Sequence, residues 1–198
     1  MLLVLGVAVT SSAILTQPAV AEDELSGTPL TAVQAFTNMR LDYAKRPGYT
    51  GGWVSNPQRE AALKAFTDHQ LPQFISLSKA WLQKCPVDAK MQLTLASALS
   101  DSGDSLGAGR RRFVFYGLLM SILSSGDGRS EESAYKVISV DEEYTVMNYL
   151  GMTLKQQGLK GNYDVMTVEK DGKESTAYFE ISIPLAAESA LLNAKPMK

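Results

Sequence analysis

Val33, Phe36, Met39 and Tyr43 recur at spacings of three and four, the period of one helix face, and predict a helix over residues 30–44. Thr28-Pro29 suits its start, and Pro47-Gly48 stops it. A loop with two large aromatics among glycines follows, Tyr49 to Trp53, and Asn56-Pro57 is a cap-like pair that opens a second helix. Helical spacing resumes at Pro72 with Phe74, Leu77, Trp81 and Leu82 and ends at Lys84-Cys85-Pro86. Residues 88–102 form the next helix, with Leu95, Ala96 and Leu99 on neighbouring turns. This pair has the pattern of one tetratricopeptide-like repeat, which buries its apolar face by stacking on neighbours. A long helix over 104–123 is expected to bury Phe113, Tyr116, Leu119, Met120 and Leu123, with Arg110-Arg111-Arg112 on a solvated face.

The texture changes after Ser124. Residues 135–140 are rich in β-branched side chains and predict a strand, and Ser139-Val140-Asp141-Glu142 is an S-x-x-E capping box opening a helix that Gly151 ends. Alternation from Met152 predicts another strand. Two further strand-like runs, 163–170 and 173–183, meet at Asp171-Gly172, a preferred two-residue hairpin turn, with Phe179, Ile181 and Ile183 on one face. The fold class is therefore α+β: a short tetratricopeptide-like helical array, residues 28–125, followed by a small antiparallel sheet of about four strands with one helix, residues 126–184. Residues 185–198 read as a flexible tail or frayed helix.

The first nine residues are an apolar run, followed by a polar break at Thr10-Ser11-Ser12 and by Ala19-Val20-Ala21 before Glu22-Asp23-Glu24. The pattern is that of a secretory signal peptide, residues 1–21, with an Ala-x-Ala cleavage site, although no Lys or Arg precedes Arg40. The run is shorter than the ~20 apolar residues of a membrane span. The reading places the mature chain in the periplasm or the medium, with no stable membrane span.

Composition narrows the chemistry. With 198 residues, 45% hydrophobic and 20% charged, the chain is of ordinary globular composition. Nineteen Lys+Arg against 21 Asp+Glu give a net charge of -2, which provides no drive toward nucleic acid phosphates. One Cys and one His leave no intramolecular disulfide, no His/Cys zinc cluster and no obvious base for a nucleophilic triad. No cofactor or metal is implied. Gly126-Asp127-Gly128-Arg129-Ser130 lacks the Lys and the strand-loop-helix order of a phosphate loop, and reads as a turn. Ser76-Leu77-Ser78-Lys79 has the S-x-x-K spacing of penicillin-recognising enzymes without their companion motifs, and His69 reads as a capping or surface residue.

The combination Ser125-Gly126-Asp127-Gly128-Arg129-Ser130, Tyr135-x-Val137-Ile138, Glu142-Glu143-Tyr144, Leu150-Gly151 and Tyr163-Asp164 resembles a bacterial family known as domain of unknown function 4919. The helical part is similar as well, including Tyr43, Tyr49 and the helix pair around Pro86. The resemblance runs from about residue 30 to residue 183; Gly51-Gly52-Trp53 departs from it, standing where a more Tyr/Pro-rich turn is expected. It implies a secreted or envelope-associated bacterial protein, with no established activity, cofactor or catalytic residues.

The leading functional expectation is an exported interaction protein with a protein or peptide partner, in a specialised form an inhibitor or immunity-type partner of a secreted toxin. Its working surface is expected at the junction of the halves, around Asp127, Arg129, Glu142, Glu143 and Tyr144, with the loop carrying Tyr49 and Trp53 as the second candidate. The alternative is a carboxylate-based cell-envelope hydrolase using two among Asp127, Glu131, Glu142 and Glu143, and a third is a structural envelope component. A solvent-open carboxyl pair with raised pKa favours the enzyme, and an apolar or aromatic groove favours binding.

Overall fold

The computed structural model describes residues 27–53 and 55–194; the expected signal peptide lies outside them. Five helices come first: α1 (Gly27–Ala44), α2 (Pro57–Thr67), α3 (Leu71–Lys84), α4 (Ala89–Asp101) and α5 (Ser105–Leu123). They are followed by β1 (Tyr135–Lys136), α6 (Val140–Leu150), β2 (Thr153–Lys160), β3 (Tyr163–Lys170), β4 (Lys173–Glu180) and α7 (Ser182–Ala194). The class is α+β, as the patterning predicts.

Side-chain caps set three of the helix starts. Asn56 accepts the Gln58 N–H at 3.0 Å, Asp88 that of Met91 at 3.0 Å and Asp104 that of Gly107 at 2.8 Å. α2 packs on α3, α3 on α4, α4 on α5, and α5 also meets α1. α1 lies so close to α5 that a Cβ on Gly117 would stand 2.1 Å from the Phe36 ring. This contact corrects the expected face of α5. Phe113 and Tyr116 are exposed, and the buried stripe is Ala108, Phe115, Leu118, Leu119 and Ile122, because α5 is wedged between α4 and α1 instead of lying on a single layer.

The sheet order is β1-β4-β3-β2. Asp171 and Gly172 both take left-handed φ, 51° and 72°, and hold Lys170 opposite Lys173, the hairpin expected from the dipeptide. Met166, Val168, Ala177 and Phe179 form the buried face. Two expectations are corrected here. β1 runs parallel to β4, so the sheet is mixed, and β1 is two residues long because Ile138 turns its backbone groups elsewhere: its N–H goes to Glu142 and its carbonyl accepts the Tyr49 hydroxyl. β4 stops at Glu180 instead of running to Ile183, since the Ser182 N–H bonds the Glu180 carboxylate at 2.9 Å and α7 begins. Pro184 sits in the first turn of α7, where a missing N–H costs little. The helix covers residues 182–194, most of the stretch that reads as a tail.

One cluster of buried side chains runs from Phe74 and Trp81 through Leu118 and Ile122 to Val146, Met166 and Phe179, so both halves share a core.

Candidate functional site

The first turn of α6 carries Asp141, Glu142 and Glu143, and successive helical positions diverge by about 100° around the axis. The three carboxylates therefore point to three different parts of the protein. Glu142 takes Arg40 of α1 in a fork, Nε to Oε1 at 2.7 Å and Nη2 to Oε2 at 2.6 Å, and also accepts the Ile138 N–H at 2.8 Å. Arg40 also donates to the Ser121 hydroxyl of α5, 3.2 Å, and to the Lys136 carbonyl, 2.9 Å. Asp141 accepts from Arg59 of α2 at 3.0 Å. Arg59 in turn holds Asp88, the cap of α4, at 2.7 Å, and Asp88 also accepts the Trp81 indole N–H at 2.8 Å. Burial alone would lower the Arg59 pKa, but Asp88 and Asp141 hold it above its usual value.

Glu143 is different. It has no solvent exposure, and as a protonated carboxyl it can donate its O–H to the Asp164 carboxylate of β3. Burial first, then the neighbouring Asp164 carboxylate of β3, push its pKa up to about 9, so Glu143 is protonated at neutral pH. Asp164 accepts from Gln157 of β2 at 2.8 Å. The two acids line a cavity of about 200 Å³ together with Val140, Leu159, Ile181 and the α7 residues Pro184, Leu185 and Glu188.

These placements separate the residues singled out in the sequence. Glu142 and Glu143 are buried and belong to no open surface, which corrects the expected working surface. The capping box is also altered: Ser139 is the cap residue of α6 but its hydroxyl is buried without a partner among the described residues, and Glu142 accepts the N–H of Ile138, one residue before the cap. Asp127 and Arg129 are exposed and pair with each other, not with α6. Asp127 organises its own turn, accepting from the Arg129 N–H at 3.0 Å and the Ser133 hydroxyl at 2.6 Å, bonds that hold its carboxyl below the usual range. Gly128 is required in that turn, because φ is 69° and a Cβ would strike the Tyr135 ring at 2.3 Å. Glu131 pairs with Lys160.

Trp53 is buried among core residues, edge-on to Tyr43 with centroids 5.8 Å apart, and its indole N–H has no hydrogen-bond partner among the described residues. Tyr49 is half-buried and gives its hydroxyl to Ile138. With Gly51, Asn56, Trp81 and Glu188 they line a cavity of about 450 Å³. Gly51 lies against α7, 2.8 Å from Pro184 O by its would-be Cβ, so no side chain fits there.

Tyr144 lies on a third cavity. A groove of about 610 Å³ runs between α4, α5 and α6, lined by Leu93, Phe115, Tyr116, Tyr144 and Tyr149, with Lys90 and Asp141 at its polar edge. Tyr116, Tyr144 and Tyr149 are 47%, 41% and 48% exposed. Sequence reading missed Tyr149 and put Tyr116 in the core; the five-residue spacing of Tyr144 and Tyr149 is not a same-face helical spacing, so periodicity gave no signal that both reach this groove. It also missed Arg40, although that residue falls in the stripe of Phe36 and Tyr43 at spacings of four and three.

Among the described residues no group of three or more His, Cys, Asp or Glu side chains is placed to hold a metal ion, and no helix is long and apolar enough to cross a membrane. No curated protein and no solved structure matches the chain. The model of one family, described as domain of unknown function (DUF4919), matches residues 26–190, and with that span of shared sequence the chain belongs to this family.

Proposed function

We propose that the protein is an exported bacterial interaction protein that holds a protein or peptide partner in the groove between α4, α5 and α6. The observation that carries this reading is the set of three half-exposed tyrosines, Tyr116, Tyr144 and Tyr149, around an apolar floor of Leu93 and Phe115. Tyrosine supplies large contact area at a low entropy cost and is enriched where partners dock. Glu142 is engaged inward by Arg40, and Asp141, at the polar edge of the groove, is paired with Arg59, so the groove presents mainly aromatic and aliphatic area. Export rests on the apolar start and Ala19-Val20-Ala21. An inhibitor or immunity-type role toward a secreted toxin is the specialised form of the same reading. Pull-down from envelope extract of the native host with quantitative mass spectrometry tests it: the unmodified protein enriches a partner that the Tyr116→Asp/Tyr149→Asp variant, folded and equally stable, does not. Equal recovery by both proteins rejects the groove.

A second reading, a carboxylate-based envelope hydrolase, draws on Glu143 and Asp164, an acid pair with one raised pKa. Its weakness is access, since Glu143 is fully buried while Glu131 and Glu142 are committed to Lys160 and Arg40. Release of soluble fragments from purified cell wall, abolished by Glu143→Gln, is the result that would favour it.

A further inference from the structure

Both tryptophans of the chain, Trp53 and Trp81, line the cavity of about 450 Å³ at the turn between α1 and α2, a volume within the span of small-molecule sites, about 300–1,000 Å³. They are buried and back it, while Tyr43 and Tyr49 are partly exposed. Arg46 already lies over the Tyr43 ring at 5.0 Å, which leaves Tyr49 as the aromatic surface for a ligand. The rest of the wall is polar and largely uncommitted. Thr50 ties its hydroxyl to the Gly52 carbonyl at 2.9 Å, and the N–H groups of Thr50 and Gly52 donate to nothing among the described residues. Asn56 spends Oδ1 on the Gln58 N–H, which leaves its amide nitrogen as a donor. Ser55 adds an exposed hydroxyl, and Glu188 of α7 an exposed carboxylate. No Lys, Arg or His is among the described lining residues.

This mixture narrows the ligand. An anion would meet Glu188 with no cation to offset it. An organic cation suits aromatic rings and a carboxylate but accepts nothing from the N–H and amide donors. A wholly apolar molecule would strip water from those donors without replacing its hydrogen bonds. A ring with C–H faces and a rim of hydroxyls, each both donor and acceptor, satisfies the aromatic and the polar walls together.

We propose that this cavity binds a neutral sugar ring, with its C–H face on Tyr49 and its hydroxyls shared among Gly52, Ser55, Asn56 and Glu188. Tyr49 offers apolar ring area at a fixed position, because its own hydroxyl is held by the Ile138 carbonyl. Gly52 leaves the backbone bare to the ligand, since a Cβ there would meet nothing within 4 Å. Gly51, packed against Pro184, ties the same loop to the helix that carries Glu188. The cavity shares only Val140 with the tyrosine groove, so either site can fail without the other.

With both tryptophans on this cavity, intrinsic fluorescence reports on it directly. Titration of the purified chain with glucose, galactose, N-acetylglucosamine and maltose tests the proposal, with choline and glucuronate as charged controls. The expected result is a saturable change in emission with at least one neutral sugar and weaker binding of both controls. Gly52→Leu, whose side chain starts in open space, should lower the affinity about tenfold or more, ~1.4 kcal/mol. Thermal melts show whether that variant is folded, and Glu188→Ala, at an exposed position, carries the same expectation independently. Tighter binding of maltose than of glucose identifies a glycan chain as the source of the ring, and equal or weaker binding identifies a free sugar. Absence of binding by all four sugars at millimolar concentration overturns the proposal. So does tighter binding of choline or glucuronate than of any sugar, or an affinity that the folded variants leave unchanged.

Discussion

Arg40 and Glu142, 102 positions apart, meet in a buried two-pronged ion pair that joins the first helix to the start of α6. Both side chains are almost fully enclosed, and the pair is completed by Ser121, Lys136 and Ile138. Removing one partner leaves an uncompensated buried charge, whereas replacing both by apolar residues of similar size removes the cost as well as the bond. Arg40→Ala and Glu142→Ala are each expected to lower stability by about 3–5 kcal/mol in urea unfolding, and Arg40→Met/Glu142→Leu to recover part of that loss, the Ile138 N–H and the Lys136 carbonyl being left without these partners. Additive losses in the double variant would show that the two side chains act independently.

The shared core leads to a second expectation. Phe179 is fully buried at the pairing of β4 with β1 and lies in the cluster that reaches Leu118 and Ile122. Phe179→Ala should cost about 3–5 kcal/mol through lost burial and the cavity left behind. Calorimetry should show a single transition in both proteins, and two separated transitions in the unmodified chain would mean that the halves unfold on their own.

Glu143 makes stability depend on pH. Its folded pKa, about 9, lies above the ordinary carboxyl value of 4.5, so the folded state binds the extra proton between these values. The contribution is fully present below the unfolded pKa and is lost as pH rises through the folded one. Melting temperature should fall from about pH 5 to about pH 9, and Glu143→Gln, which cannot ionise, should flatten that fall. An identical slope in the variant would assign the dependence to other groups.

Export gives a prediction at the start of the chain. If signal peptidase cuts after Ala21, the intact mass of protein recovered from the periplasm of an expressing bacterium corresponds to a chain beginning at Glu22. Full-length protein confined to the cytoplasm would contradict export.

The elements were largely legible because each carries local signals: Asn56, Asp88 and Asp104 at helix starts, Gly151 at a helix end, and Asp171-Gly172 between strands. What was not legible depends on pairing across the chain. Periodicity places Arg40 in the buried stripe of α1 only if a partner such as Glu142 is known to wait there. The exposed side of Tyr116 follows from α1 and α4 both covering α5, which no local pattern encodes. The acids of α6 read as a capping cluster, yet the helical angle between them sends one to α2, one to α1 and one to β3. Of the residues expected to work together, only Tyr144 lies on the open groove.

That groove can be tested in place by site-specific photo-crosslinking in the native host, with a benzoylphenylalanine at Tyr149 and, as a control, at Phe66, an exposed aromatic of α2 that does not line it. The account predicts one discrete covalent adduct from position 149, none of the same mass from position 66, and loss of the adduct on adding Tyr116→Asp at unchanged thermal stability. No adduct from position 149, the same adduct from both positions, or one that survives Tyr116→Asp would contradict it.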